Sequence, residues 1–195
     1  GATEPRPGPL FGYLLALELG LLFVVRRRRW WALAILTLLG SLGWAALWLA
    51  LNFEPAHSVW LGPFLLASAV AFVGASHPAR SGASETDAQM LSGMGVAGAT
   101  AVMLMLGMLV ARAEFDTLDW LFVGVLGAGA LVLGRVDRRY AYLPIITAAI
   151  SAALLVAWSV RGIGEAQVRF GWTAAGFGLL YGGGGYVALW RTLQP

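Results

Sequence analysis

Glu18 is the residue with the clearest chemical potential, because it stands in the middle of an apolar stretch over residues 9–25. A charged carboxylate at the centre of a bilayer costs at least about 2.5 kcal/mol, so we expect Glu18 to face protein or water, or to stay protonated. It could serve as a proton or cation relay or contact a substrate. It could equally be a neutral acid that is hydrogen-bonded to a neighbouring helix, and the sequence leaves both roles open.

Two further features could interrupt a helix. Four consecutive glycines, Gly182, Gly183, Gly184 and Gly185, stand inside the last apolar stretch, and Pro63 lies within the third. Glycine costs backbone entropy in a helix, and proline removes a backbone hydrogen bond. We expect the glycines to allow close packing against another helix. The alternative is local unwinding that exposes carbonyl groups to a cavity, as in transporters.

A metal site is the chemistry suggested by Glu54-Pro-Ala-His57, which has the Glu-x-x-His spacing of di-metal carboxylate bundles. Such bundles need paired motifs and further acids on facing helices, whereas this chain has one copy. The second histidine, His77, is predicted on the opposite membrane face. We therefore expect a hydrated loop with Pro55 at a helix start, and no metal.

A dinucleotide site is suggested by the string Gly93-Met-Gly95-Val-Ala-Gly98. That fingerprint requires a preceding strand and a ribose-binding acid about 20 residues on, and neither is present. Small residues four apart let helix backbones approach closely, so helix packing is the better interpretation. The same spacing occurs in Gly95 with Ala99, Gly124 with Ala128, Ala148 with Ala152, Ala149 with Ala153, and Ala174 with Gly178.

Recognisable catalytic motifs are missing from the sequence. It contains no cysteine and no lysine, which excludes a thiolate nucleophile and a phosphate-binding loop with lysine. It also has no Gly-x-Ser-x-Gly, no His-Glu-x-x-His and no pair of intramembrane aspartates. We expect no enzyme activity, no catalytic residues and no cofactor.

These residues must be positioned by membrane helices. Hydrophobic residues make up 59% of the chain and charged residues 12%, against about 25% charged in soluble domains. Seven stretches reach the length of about 17 to 25 residues that a spanning helix needs, whereas the alternation of a β-barrel is absent. We predict an all-α fold, a polytopic bundle of about seven transmembrane helices forming a single domain over residues 1–195. The predicted spans are 9–25, 30–51, 58–75, 88–111, 118–134, 143–160 and 170–190.

Local signals support these boundaries. Thr86 with Gln89 fits a capping box before the fourth helix, and Asp116 or Thr117 can cap the fifth. Pro144 fits the first turn of the sixth helix. Seven tryptophans lie near predicted helix ends, where an indole can keep its N–H in water. Two others are deeper and should pack against helices. The tryptophans near ends are Trp30, Trp31, Trp60, Trp120, Trp158, Trp172 and Trp190, and the deeper ones are Trp44 and Trp48.

Arginines in the connecting segments predict the orientation. Arg26, Arg27, Arg28 and Arg29 form the densest cluster, which could also bind anionic lipid head groups. Nine of the 13 basic residues fall on the same predicted side as this cluster, and the positive-inside rule puts that side in the cytoplasm. The N-terminus is then outside and the C-terminus inside. The net charge of +3 comes from these flanking arginines, so we expect no nucleic-acid partner.

The opening segment carries a family resemblance. Gly12-Tyr-Leu-Leu-Ala-Leu, the arginine cluster with Trp30-Trp31-Ala-Leu-Ala, and Trp44-Ala-Ala-Leu-Trp48 resemble a family of long polytopic bacterial predicted membrane proteins, domain of unknown function 2339. The match covers mainly residues 1–50. It implies the bacterial inner membrane and carries no catalytic motif.

The function predicted from these observations is a non-catalytic scaffold, envelope-assembly or lipid-interacting module. We expect the chain to be a fragment of a longer polytopic protein, with membrane lipids and that protein's further helices as partners. Its oligomeric state stays open. The alternative is part of a transporter or flippase. A transport path should bring Glu18, Thr100, Thr147 and Ser151 to a common cavity, whereas a scaffold should scatter them.

Overall fold

The computed structural model describes residues 7–28, 31–76, 85–162 and 164–186. Within these ranges the chain forms seven helices and no strand, so the predicted all-α transmembrane bundle is confirmed. Six of the helices, α1 to α6, are long and apolar enough to cross a membrane. The helices are α1 Pro7–Arg28, α2 Trp31–Leu51, α3 Ser58–Ser76, α4 Glu85–Arg112, α5 Thr117–Val136, α6 Leu143–Arg161 and α7 Gln167–Gly178.

The seventh helix differs most from its prediction. It begins at Gln167, before the predicted start at 170, and its α-helical part ends at Gly178. A π-helical turn, Leu179–Gly183, continues it. Helix α7 has 12 residues and is not among the six candidate spans. Residues 187–190 of the predicted span lie outside the described residues.

Helix ends follow the predicted caps in two cases of three. The Asp116 side chain accepts a hydrogen bond from the Leu118 backbone N–H at 3.4 Å and caps α5. Pro144 stands in the first turn of α6, where its missing N–H is not needed. The side chains of the capping box predicted at Thr86 and Gln89 lie outside the described residues, and the described part of α4 already begins at Glu85. Acidic and polar residues continue α4 beyond the apolar stretch from which the boundary was inferred.

Helices α3 and α4 form the centre of the bundle and pack against each other more extensively than any other pair. Helix α3 also contacts α1 and α5, while α4 contacts α2, α5 and α6. The centre is filled by aliphatic side chains with no exposed surface, such as Leu61, Leu65 and Leu106. Many large apolar side chains also face outward, including Val132 and Val136, because the surrounding solvent is lipid.

Small residues allow the α3–α4 approach. Gly95 and Gly98 on α4 are buried, and a Cβ atom added at Gly98 would lie 2.9 Å from the Cβ atom of Phe72. Gly93, in the same glycine string, is exposed and has open space beside it. The pair Ala149 and Ala153 is also exposed, so it does not pack against another helix within the described residues. The spacing of small residues did not reveal which face of α6 meets the bundle.

Candidate functional site

Glu18 lies near the middle of α1 and is buried by the two following helices. Its side chain is 2% exposed. The Ser68 hydroxyl of α3 donates a hydrogen bond of 2.8 Å to Glu18 Oε2. The other oxygen, Oε1, is buried without a hydrogen-bond partner among the described residues. The Ser41 hydroxyl of α2 also approaches Glu18, but it donates its hydrogen to the Thr37 carbonyl. Oε2 therefore accepts a hydrogen bond, whereas Oε1 has no aligned donor and can still take up a ligand or a proton.

A cavity of about 270 Å³ adjoins this carboxyl group between α1 and α2. Its polar lining consists of Glu18, Thr37 and Ser41, all of which are buried. The rest of the lining is apolar, and several of those residues are also exposed on the outer surface of the bundle. They include Leu17, Leu36 and Trp44, which are 46%, 63% and 44% exposed. The cavity is thus an apolar cleft that opens on the outer surface of the described bundle and has its polar groups inside.

The hydroxyl groups of α2 in this cavity donate to the backbone of their own helix. Thr37 Oγ1 donates to the Leu33 carbonyl at 2.7 Å, and Ser41 Oγ donates to the Thr37 carbonyl at 2.9 Å. Each oxygen can still accept a hydrogen bond. The cavity can therefore hold a neutral acid whose proton is donated to a hydroxyl oxygen, or a ligand whose donor satisfies Oε1.

The glycine run and Pro63 affect their helices differently. Helix α3 continues through Pro63 from Ser58 to Ser76. In α7 the π-helical turn includes Gly182 and Gly183, while Gly184 approaches Leu131 of α5 and Gly185 has open space.

The π-helical turn also contains Tyr181, whose hydroxyl group is 3.3 Å from Ser151 Oγ of α6. A Cβ atom at Gly127 of α5 would collide with the Tyr181 hydroxyl. One side of the turn is therefore packed against α5 and α6.

The arginine cluster lies at the end of α1. Arg26 and Arg27 are exposed, and the Arg27 guanidinium lies 5.1 Å from the centre of the Phe23 ring. Arg28 is the last residue of α1, and Arg29 lies outside the described residues. The exposed pair is available to the lipid head groups or water beside the helix end.

Glu54 and His57 form a short turn before α3. The Glu54 backbone N–H donates to His57 Nδ1 at 3.2 Å, and Pro55 begins a 3₁₀ turn. Across the described part of the chain, no three His, Cys, Asp or Glu side chains come together as metal ligands. His77 lies outside the described residues.

The four polar residues named for a transport path do not share the Glu18 cavity. Thr147 Oγ1 donates to the Pro144 carbonyl, while Ser151 meets Tyr181 on the far side of the bundle from α1. Thr100 has a buried hydroxyl with no partner among the described residues. Only Glu18 of the four lines the cavity.

A family model described as a predicted membrane protein, DUF2339, matches residues 2–194. The chain belongs to this family. The resemblance, which the sequence analysis found mainly in residues 1–50, thus extends over nearly the whole of this chain. No curated protein and no solved structure matches it significantly.

Asp119 of this DUF2339 chain is a buried acid that the sequence analysis missed. It lies in the first turn of α5, is 0% exposed, and neither of its carboxyl oxygens has an aligned hydrogen-bond partner in the described chain. The hydroxyl of Ser58, which approaches it from α3, is also unpartnered. An acid in the first turn of a helix is usually solvated, so the position of Asp119 in the sequence gave no sign that it is buried.

Three tryptophans also differ from expectation. Trp120 and Trp158 are each 3% exposed and stack at a centroid distance of 5.9 Å, so they are packed inside the bundle, not placed in a hydrated interface. Trp44 is half exposed and lines the Glu18 cavity, whereas Trp48 is buried as predicted. The indole ring of Trp44 is therefore a candidate part of the site.

Proposed function

We propose that this chain is a non-catalytic helical module of a larger inner-membrane protein, with a scaffold or lipid-interacting role. The observation that carries this proposal is the scattering of polar side chains. Glu18 hydrogen-bonds to Ser68 between α1 and α3, whereas Ser151 meets Tyr181 between α6 and the π-helical turn. Such bonds join neighbouring helices in a bilayer and do not require a path.

Orientation and compartment are part of the same proposal. The arginine cluster supports a cytoplasmic end for α1 and an outer position for the N-terminus. The exposed Arg26 and Arg27 would then lie at the inner leaflet, where anionic lipids attract each basic side chain by about 1 kcal/mol.

A role in transport is the second candidate, and the Glu18 cavity favours it. A buried carboxyl oxygen without a partner beside a cavity is a feature that ion and substrate sites share. The cavity opens on the outer surface of α1 and α2 and contains none of Thr100, Thr147 and Ser151. The geometry thus supports a local pocket better than a continuous path.

Rescue of a deletion strain tests the two candidates. The full-length protein would be expressed with Glu18→Gln, or with Thr147→Val and Ser151→Ala together, at equal membrane levels. Growth under osmotic and detergent stress would be measured. A scaffold predicts rescue by both variants, because helix packing is retained. Loss of rescue with Glu18→Gln alone, at a normal protein level, would replace the scaffold proposal with the transport candidate.

A further inference from the structure

We propose that the cleft between α1 and α2 binds a lipophilic organic cation, with its ammonium-type head at Glu18 and Trp44 and its apolar part among leucine side chains. This inference goes beyond the scaffold proposal and does not depend on it, since a scaffold can also hold a ligand. It rests on the shape of the cleft, its free carboxyl oxygen and the ring at its mouth.

The unpartnered oxygen indicates the charge of the ligand. Glu18 is 2% exposed, and its Oε1 atom has no hydrogen-bond partner among the described residues. A buried carboxylate is stable only when it is paired or hydrogen-bonded. No described arginine or histidine forms an ion pair with it. A cationic donor would supply both the missing hydrogen bond and the missing charge.

Trp44 distinguishes a cation from a neutral donor. Its indole ring is 44% exposed and lines the same cleft as Glu18. A cation over an indole face gains about 0.5 to 2 kcal/mol, more when water is excluded. A neutral alcohol could satisfy Oε1 but would gain nothing comparable from the ring. A carboxylate together with an aromatic ring is a combination that suits an ammonium group.

The remaining lining indicates a lipid-soluble ligand. Leu14, Leu17, Leu21, Leu33 and Leu36 surround the polar groups, and two of them are exposed on the membrane side. The volume of about 270 Å³ is close to the lower end of the roughly 300 to 1,000 Å³ range of ligand pockets. A ligand partitioned into the bilayer could therefore enter sideways between α1 and α2.

A carbodiimide reaction tests the site in the full-length protein in liposomes. Dicyclohexylcarbodiimide dissolves in the bilayer and reacts with a carboxyl group in its protonated form, which is the form of Glu18 without a bound cation. The acid proton goes to one carbodiimide nitrogen, the carboxyl oxygen bonds to the central carbon, and the O-acyl product rearranges to a stable N-acylurea. Peptide mass spectrometry would locate the adduct. We expect modification of Glu18 and none in Glu18→Gln, with Asp119 as an internal buried acid that does not line this cleft.

Competition with matched amphiphiles then identifies the ligand class. Dodecylammonium should slow the modification of Glu18 roughly tenfold at about ten times its Kd, because only about one site in eleven is then free. Dodecanol, with the same chain and a neutral head, should have little effect. Equal protection by dodecanol would overturn the cation proposal. An unreactive Glu18, or equal modification of Asp119, would overturn the accessible cleft itself.

A pair of glycine variants provides the structural control. Gly40 lines the cleft, Gly43 lies one turn away on the same helix without lining it, and both have open space beside them. Gly40→Phe should block carbodiimide modification and dodecylammonium binding, whereas Gly43→Phe should leave both unchanged. An identical response of the two variants would refute entry through this cleft. These results are independent of strain rescue, so this proposal and the scaffold proposal can fail separately.

Discussion

The close approach of α3 and α4 predicts that Gly98→Ala destabilises the bundle. A Cβ atom at Gly98 would lie 2.9 Å from Phe72 Cβ and 3.0 Å from Phe72 Cγ. Carbon atoms in favourable contact are about 3.5 to 4.0 Å apart. Phe72 is 4% exposed, and its Cβ atom is fixed to the backbone, so side-chain rotation cannot relieve the collision. The two helices must separate by roughly 0.5 to 1 Å.

Gly93→Ala is the matched control from which the free-energy cost of the collision at Gly98→Ala can be measured. An alanine gains about 0.5 to 1 kcal/mol over glycine in a helix, and this gain applies at both positions. Gly93 is exposed and has no atom within 4 Å of an added Cβ, so the difference between the two variants isolates the collision. Overpacking of this kind costs about 1 to 3 kcal/mol. For a bundle of this size that unfolds as one unit, each kcal/mol shifts Tm by about 2 to 4 °C, so the transition of this bundle in Gly98→Ala should lie roughly 2 to 12 °C below that in Gly93→Ala.

The assay is thermal unfolding of the purified full-length protein in detergent. After each heating step, size-exclusion chromatography measures the fraction of the protein that remains monodisperse. Both variants would be compared with the parent protein in one detergent and at one concentration. A Tm for Gly98→Ala equal to or above that of Gly93→Ala would refute the packing argument. It would mean that α3 and α4 can separate at no cost.

Three further predictions concern charge. Asp119→Asn should raise the free energy of unfolding by about 1 kcal/mol, because the amide has the same shape but carries no charge that burial would disfavour; a lower Tm would instead indicate that the carboxyl group has a stabilising role. In a variant with a single cysteine, an impermeant maleimide added to intact cells should label Asn52→Cys and not Ala141→Cys, both of which replace exposed residues; the reverse pattern would contradict the N-out orientation. Neutralising the arginines over 26–29 should scramble the orientation of α1 and α2 in the isolated chain, measured by the same labelling, and an unchanged pattern would show that other signals determine it.

The spans could be predicted because lipid imposes a simple requirement on sequence. A helix that spans a bilayer must be predominantly apolar and about 20 residues long, so α1 to α6 are visible as long apolar stretches. The same uniformity hides the faces that pack. Ala149 with Ala153 and Gly95 with Ala99 have identical spacing, yet the first pair is exposed and the second is buried.

The candidate site could be predicted only in part. Glu18 is conspicuous because no other ionisable residue is so central in a predicted span. Its partner Ser68 lies 50 residues away on α3, and such a pairing depends on tertiary packing that periodicity does not contain. Asp119 and Trp44 were missed for a related reason. Each stands where its residue type has an ordinary role, and only the neighbouring helices determine its exposure.

The π-helical turn that continues α7 determines the rotational register of the residues after it. A π-helical turn contains about one residue more than an α-helical turn, and each residue of an α-helix advances it by about 100°. Gly184 to Tyr186 are therefore rotated by about 100° from where a continuous α-helix starting at Gln167 would place them. Loss of one glycine would convert the turn to an α-helix and cancel this offset. Because the four glycines are adjacent and identical, deleting any one of them gives the same protein, so the run provides several mutational routes to a single change of register.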